Sequence, residues 1–218
     1  MALIQIDYKS AREEMKPGDV IAFSGKGHLS EIIKWATRSP ISHVGVIMQA
    51  ELSFNKKGLD NLIIESTTLG NFSGVKISRM SERLRTYDGE VWWLPLNNEI
   101  RNNSFDEKKY FNFLIDNEGK PYDSIQAALA GLDKLDTLGI SKAHEDFSRF
   151  FCSELVAESL EQAGTVSNVN ASEVTPIDLC MFNIYEKNYY QLHFDVNNIK
   201  EIKEIKGFNS FDPTGFGN

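Results

Sequence analysis

The chain has 218 residues, of which 41% are hydrophobic and 25% charged, a balance typical of a globular domain rather than a disordered segment. Its net charge of -8 gives no electrostatic reason to bind nucleic acid or an anionic membrane surface. Two cysteines cannot build a disulfide framework, and no apolar run is long enough for a signal peptide or a transmembrane segment. We therefore expect a single domain over residues 1–218, cytoplasmic as synthesised, so that any export would use another route.

The first half of the chain is rich in short apolar runs that predict strands. A buried strand is expected over 19–24, after the turn at 16–18, and an amphipathic helix from about Ser30 is stopped by Pro40. Further strands are predicted over 43–49, 62–66, 75–77 and 90–96.

The second half has mainly helical patterns, followed by late strand candidates. Ser104 and Glu107 form a capping-box pattern before a predicted helix. Another helical face runs from Cys152 to a stop at Gly164. Strands are predicted at 189–194 and 199–205, and a loosely ordered tail from about 207. The order of strands, then helices, then strands along the chain predicts an α+β domain.

Cys152 is the first residue whose type and position suggest chemistry. It stands in the stretch Phe-Phe-Cys-Ser-Glu-Leu-Val, at the expected first turn of a helix. Unsatisfied amide groups at a helix N-terminus carry partial positive charge, which favours the thiolate, the form that attacks a carbonyl carbon. A buried cysteine that only packs is the common alternative.

Two further residues would complete a catalytic group with Cys152. His43 opens the strand HVGVIMQ, where a rigid backbone can aim the imidazole across a cleft and Gly45 leaves room for close packing or approach. Glu65 ends the run LIIE and lies beside His43 if the two strands pair. There its carboxylate would orient the imidazole and stabilise its charged form. Taken singly, a half-exposed histidine and a solvated glutamate at strand ends are the simpler readings.

Five short motifs follow one another in a defined order: GDVI from Gly18, SHVGV from Ser42, IES from Ile64, GKPYD from Gly119 and FCSELV from Phe151. Together they resemble the NlpC-type branch of the papain-like cysteine enzymes, and in particular its circularly permuted members, the YiiX-like proteins. The histidine precedes the cysteine, which is the permuted order shared with lecithin-retinol acyltransferase-like proteins. The resemblance covers about residues 17–179.

The resemblance implies a papain-like α+β fold, in which a helical part with the cysteine packs on an antiparallel sheet with the histidine. Cys152 would be the nucleophile, His43 the general base and acid, and Glu65 the orienting third residue. Tyr122, in GKPYD, matches a tyrosine that helps to hold the oxyanion or the substrate, and the Cys152 amide is a further oxyanion donor. The sequence departs from the family in lacking the usual Trp-Gly-Gly stretch and in carrying a helical-looking insertion at about 124–148, placed to line or cover the cleft.

The activity implied is that of a cysteine peptidase or amidase, which cleaves an amide bond in a peptide or a cell-wall (peptidoglycan) peptide through an acyl-enzyme. Two alternatives stay open: an acyltransferase, lipid amidase or thioesterase that holds a fatty acyl group on the same cysteine, and a papain-like scaffold used only for binding. The expected partner is a small peptide, a cell-wall fragment or an acyl lipid, and no cofactor or metal is expected. Metal-ligand spacing is absent around the remaining candidates, His28, His144, Cys180 and His193.

Overall fold

The computed structural model describes residues 2–26, 28–50, 60–69, 72–121, 151–194 and 201–217. Tyr122 and the insertion predicted at about 124–148 lie outside the described residues. Among the helices that are described, none combines the length and the apolar character needed to cross a membrane.

The described strands form one sheet. They are β1 (Ala2–Asp7), β2 (Val20–Gly25), β3 (His43–Ala50), β4 (Asp60–Leu69), β5 (Phe72–Arg79), β6 (Gly89–Leu94) and β7 (Asn188–His193). Their order across the sheet is β1-β7-β6-β2-β3-β4-β5, and neighbouring strands are antiparallel except for β1 and β7. Strands β2 to β7 were predicted from the sequence, although β4 and β5 extend two or three residues beyond each predicted end, whereas β1 was not predicted.

The helices that surround this sheet vary in length. They are α1 (Tyr8–Ala11), α2 (His28–Thr37), α3 (Met80–Thr86), α4 (Asn98–Asn103), α5 (Glu107–Asn117), α6 (described from Phe151 to Gln162) and α7 (Pro176–Met181). Helix α6 packs on β3 and β4 and also contacts α5. A mostly antiparallel sheet with helices confirms the predicted α+β class.

The central strand β2 is buried on both faces of the sheet. Alternate residues of β2 enter two separate apolar clusters, with Val20 and Ala22 in the larger and Ile21 and Phe23 in the smaller. The larger cluster also contains Cys152 of α6. A strand that is buried on both faces has a nearly continuous apolar sequence, and this pattern made β2 predictable.

Asp19 anchors the entry to β2. Its side chain is buried, and its carboxylate accepts hydrogen bonds from the amides of Lys16 and Leu96 at 2.9 Å, the Trp93 indole at 2.8 Å and the Arg101 guanidinium at 2.5 Å. These donors come from the turn before β2, from β6 and the residues after it, and from α4. One carboxylate therefore ties three segments of the chain together.

The strand predicted over 199–205 is wrong for its described part, because residues 201–205 form no strand. Side chains of β6 and β7 form hydrogen bonds with the backbone groups of this segment instead. The Trp92 indole donates to the Lys203 carbonyl and the Tyr189 hydroxyl accepts from the Ile205 amide, each at 2.9 Å. Backbone groups satisfied by side chains do not require a strand ladder.

Residues 207–217, predicted to be loosely ordered, form turns that contact the domain. Phe208 is buried, and its ring packs on those of Tyr185 and Tyr189, with centroids 5.6 and 4.2 Å away. These contacts attach the C-terminal residues to the larger apolar cluster.

Candidate active site

His43 and Glu65 lie side by side on the paired strands β3 and β4. Nε2 of His43 is 2.6 Å from Oε2 of Glu65. Both side chains are buried, with 6% of the imidazole and none of the carboxylate exposed. A buried carboxylate at this distance keeps a proton on Nε2 and fixes the orientation of the ring.

Cys152 approaches the same imidazole from helix α6. It lies in the first described turn of α6, and its side chain raises the pKa of His43. Nδ1 of His43 is buried and makes no hydrogen bond of ordinary geometry among the described residues. Because Glu65 holds Nε2, Nδ1 is the ring nitrogen through which His43 can exchange a proton with the sulfur.

The charges of these groups support one another. Burial disfavours the imidazolium, but the charge and hydrogen bond of Cys152, followed by those of Glu65, outweigh burial and raise the pKa of His43 to about 9. Burial also disfavours the Glu65 carboxylate, but His43 and Arg83 outweigh it and lower the pKa of Glu65 to about 2. At neutral pH the site therefore contains a protonated imidazole between a carboxylate and a sulfur.

Arg83 is a fourth member of the site. Its Nε donates to Oε1 of Glu65 at 2.6 Å, and a terminal nitrogen donates to Oε2 at 3.2 Å. The guanidinium is 9% exposed. The arrangement is a buried chain of hydrogen bonds from Arg83 through Glu65 to His43, with Cys152 acting on the far side of the imidazole.

Sequence reasoning missed Arg83, although the sequence contains a signal for it. Met80 and Leu84 are buried on α3. Arg83 falls on the same helical face, three residues after Met80 and one before Leu84. An arginine among apolar positions of a short helix is rarely buried without a partner. The pattern is also compatible with a solvated arginine, so an acidic partner follows from it only once Arg83 is known to be buried.

The sulfur is closed to solvent. Cys152 has 0% of its surface exposed, and His43 has 4%. The cleft across which His43 was expected to act is thus shut at the sulfur, and a substrate reaches this atom only when neighbouring atoms move.

The other sequence candidates lie apart from this group or outside the described residues. Tyr122 and His144 are outside them, so the oxyanion or substrate role of Tyr122 stays a prediction. Cys180 is buried on α7, where its thiol donates to the Pro176 carbonyl at 3.2 Å and burial raises its pKa. Within the described ranges, no three histidine, cysteine or acidic side chains are placed to share a metal ion.

A cavity of about 570 Å³ lies away from these residues. Trp93, Arg101 and Tyr190 contribute to its wall, and the rings of Trp93 and Tyr190 are stacked 4.7 Å apart. None of the residues that line it belongs to the chain from Arg83 to Cys152.

Comparisons with known proteins give a fold-level likeness only. No protein-family model matches the sequence, and no curated protein matches it. Among solved structures, the chain is similar to the crystal structure of the metalloprotein yiiX from Escherichia coli O157:H7. The two are 21% identical, with a TM-score of 0.45 over 72% of this chain and 70% of that one. A likeness at this level does not define a family for the chain.

Proposed function

We propose that the protein is a cysteine-dependent hydrolase that cleaves an amide bond through an acyl-enzyme on Cys152, with a peptide or a cell-wall peptide as the substrate. The observation that carries the proposal is the buried imidazole of His43. It is held by Glu65 at 2.6 Å on one nitrogen and acted on by Cys152 through charge and hydrogen bonding. Cys180 provides an internal contrast, because its described partner is a backbone carbonyl.

In the first half of the proposed reaction, His43 starts as the imidazolium, with the proton of the Cys152 thiol already on Nδ1, and the sulfur starts as the thiolate. The thiolate then adds to the carbonyl carbon of the scissile amide, and the carbonyl oxygen takes up the negative charge. The imidazolium of His43 gives its proton to the leaving nitrogen, the C–N bond breaks, and the acyl group stays on sulfur as a thioester.

In the second half, neutral His43 accepts a proton from a water molecule while the water oxygen attacks the thioester carbon. The C–S bond breaks with its electrons going to sulfur, the acid product leaves, and the site returns to the thiolate beside the imidazolium of His43. Glu65 stays ionised throughout, because its pKa of about 2 lies far below neutral pH. Its part is to orient the ring and to stabilise the imidazolium in both halves.

A second candidate keeps the nucleophile and changes the acyl group. Cys152 belongs to the larger apolar cluster, together with Val156 and Leu160 of the same helix. Apolar surroundings of this kind favour a hydrocarbon chain over a charged peptide, and they support an acyltransferase or a lipid amidase or thioesterase.

The test is hydrolysis by the purified protein of a peptide library and of digested peptidoglycan, with products identified by mass spectrometry. We expect Cys152→Ala to lower turnover by about a thousandfold or more, since the thioester can no longer form. Its circular dichroism and thermal unfolding should stay those of a folded protein. Cys180→Ala is the matched control, because it removes the other buried thiol and should keep the activity per folded molecule.

Turnover that survives in Cys152→Ala would overturn the proposal. A fatty acyl thioester trapped on Cys152, with no peptide cleaved, would overturn the peptide substrate and support the second candidate. If none of these substrates gives turnover or an adduct, the result would favour a binding scaffold.

A further inference from the structure

We propose that Arg83 is a positioning residue of this site, which holds the Glu65 carboxylate in the orientation that His43 requires. The effect on turnover rests on the proposed function, whereas the effect on His43 itself does not.

The first argument is the geometry of the carboxylate. Arg83 donates to both oxygens of Glu65, at 2.6 Å to Oε1 and 3.2 Å to Oε2, and Oε2 is the oxygen that meets Nε2 of His43. A two-point hydrogen bond from a planar guanidinium fixes the plane of a carboxylate as well as its position. The direction of the bond to His43 is therefore set from the Arg83 side.

The second argument is that Arg83 is itself held in place. Its guanidinium carbon lies 4.9 Å from the centre of the Phe23 ring and 4.7 Å from the centre of the Tyr87 ring. The Phe23 ring also contacts the imidazole of His43, with centroids 5.4 Å apart. One aromatic side chain thus packs on both ends of the Arg83–Glu65–His43 chain, so that a shift of the guanidinium is felt at the imidazole.

The third argument is charge. A buried carboxylate with a single partner is costly, and Arg83 supplies the second partner of Glu65 and lowers its pKa. Lys76 stands opposite Glu65 in the β4–β5 register, but its ammonium lies over the Phe72 ring at 6.0 Å. The charged groups that act on Glu65 and His43 therefore come from α3, β3, β4 and α6, and Arg83 is the cation that α3 contributes.

A buried ion pair can also serve only to attach a helix to a sheet. The two roles differ in what they do to His43. If Arg83 acts only as an attachment, its loss changes stability and shifts the pKa of His43 only through the missing charge, and a variant that keeps the charge leaves the chemical step as it was. If it positions and balances Glu65, its loss changes both the pKa of His43 and the chemical step.

The experiment compares Arg83→Met, Arg83→Lys and the control Arg85→Met, in which an exposed arginine of the same helix is changed. The pKa of His43 is read from the NMR titration of histidine-labelled full-length protein, and kcat and KM from the substrate cleaved by the wild-type protein. Arg83→Met should raise the pKa of His43 by about one unit, because a positive charge near the imidazolium is lost. It should also lower kcat by about 10- to 100-fold with little change in KM.

Arg83→Lys should separate charge from geometry. It keeps the positive charge, so the pKa of His43 should stay near the wild-type value. It loses the two-point hydrogen bond, so kcat should still fall by about tenfold. Arg85→Met should change neither quantity.

A pKa of His43 that is unchanged in folded Arg83→Met would overturn the proposal. A wild-type kcat in Arg83→Lys would also overturn the proposal. This second measurement tests the proposal if Arg83→Met does not fold. If the wild-type protein cleaves no substrate, the proposed function fails, but the titration still tests Arg83. The two failures are therefore distinguishable.

Discussion

At the scale of single residues, the account depends on Glu65 being ionised inside the protein. Its carboxylate is fully buried and stays charged because His43 and Arg83 both pair with it. A neutral amide of the same shape cannot stabilise the imidazolium in this way. The charge of Glu65 should therefore matter more than its volume.

We expect Glu65→Gln to lower kcat by about a hundredfold or more, because the imidazolium loses its carboxylate partner and the ring loses its fixed tautomer. Steady-state kinetics on the substrate cleaved by the wild-type protein measure this. Glu82→Gln is the control, since it makes the same chemical change on an exposed residue. A loss of less than a few-fold in Glu65→Gln would contradict the role given to this carboxylate.

The candidate residues differ in how visible they are in the sequence. Cys152 and His43 could be found because the sequence pattern predicts a helix start at the first and a strand start at the second, and the order of the motifs links them. Arg83 could not be found in the same way, because an arginine on a short helix with neighbouring charges is normally solvated. Only the pairing of α3 with β4 shows that its guanidinium reaches Glu65.

At the scale of elements, Gly45 sets how closely β3 approaches β4. A Cβ added to Gly45 would lie 2.9 Å from Cδ1 of Ile63 and 3.1 Å from the carbonyl oxygen of Ile64. The first atom can move, since it ends a flexible side chain, but the second belongs to the backbone. The glycine therefore allows the two strands to pack closely. Close packing was one of the two roles predicted for it, the other being close approach of another group.

We expect Gly45→Val to lower the free energy of unfolding by about 1–3 kcal/mol, because the added methyl groups overpack the space between the strands. Gly45→Ala should cost less, since it adds only the Cβ. Urea denaturation of both variants measures the difference. If Gly45→Val is as stable as the wild type, the contact between these strands is looser than described.

The elements that could be predicted are those whose local sequence decides their structure. Strands β2 and β3 are apolar runs bounded by turn residues, and the run from β2 is buried on both faces. The helix α5 was predicted, but its cap was wrong: Asp106 accepts from the Lys109 amide, while Ser104 ends α4, so the helix begins two residues later than a Ser104 cap implies. Two polar residues near a helix start compete as caps, and the preceding helix decides between them.

Longer-range structure could not be predicted from local patterns. Strand β1 has no partner near it in the sequence and pairs in parallel with β7, at the other end of the chain. Residues 201–205 were predicted as part of a strand, yet the side chains of Trp92 and Tyr189 form hydrogen bonds with their backbone groups. Both outcomes depend on contacts between distant segments, which override local propensity.

At the scale of the whole molecule, the site exists only because the fold is complete. Its members come from β3, β4, α3 and α6, which are far apart in sequence, and His43 connects them across two apolar clusters. Phe23, which packs on the imidazole, belongs to the smaller cluster, and Cys152 belongs to the larger one. Burial on this scale strengthens each charge–charge interaction, and it also closes the sulfur to solvent.

The central claim is that the folded molecule keeps His43 protonated beside the sulfur of Cys152 at neutral pH. NMR titration of histidine-labelled protein measures this directly, with Cys152→Ala as the comparison. The account predicts that His43 titrates near pH 9 in the wild-type protein, and that its pKa falls in Cys152→Ala because the charge and hydrogen bond of the sulfur are lost. A wild-type His43 that titrates at or below about 6.5, the ordinary value for histidine, would contradict it.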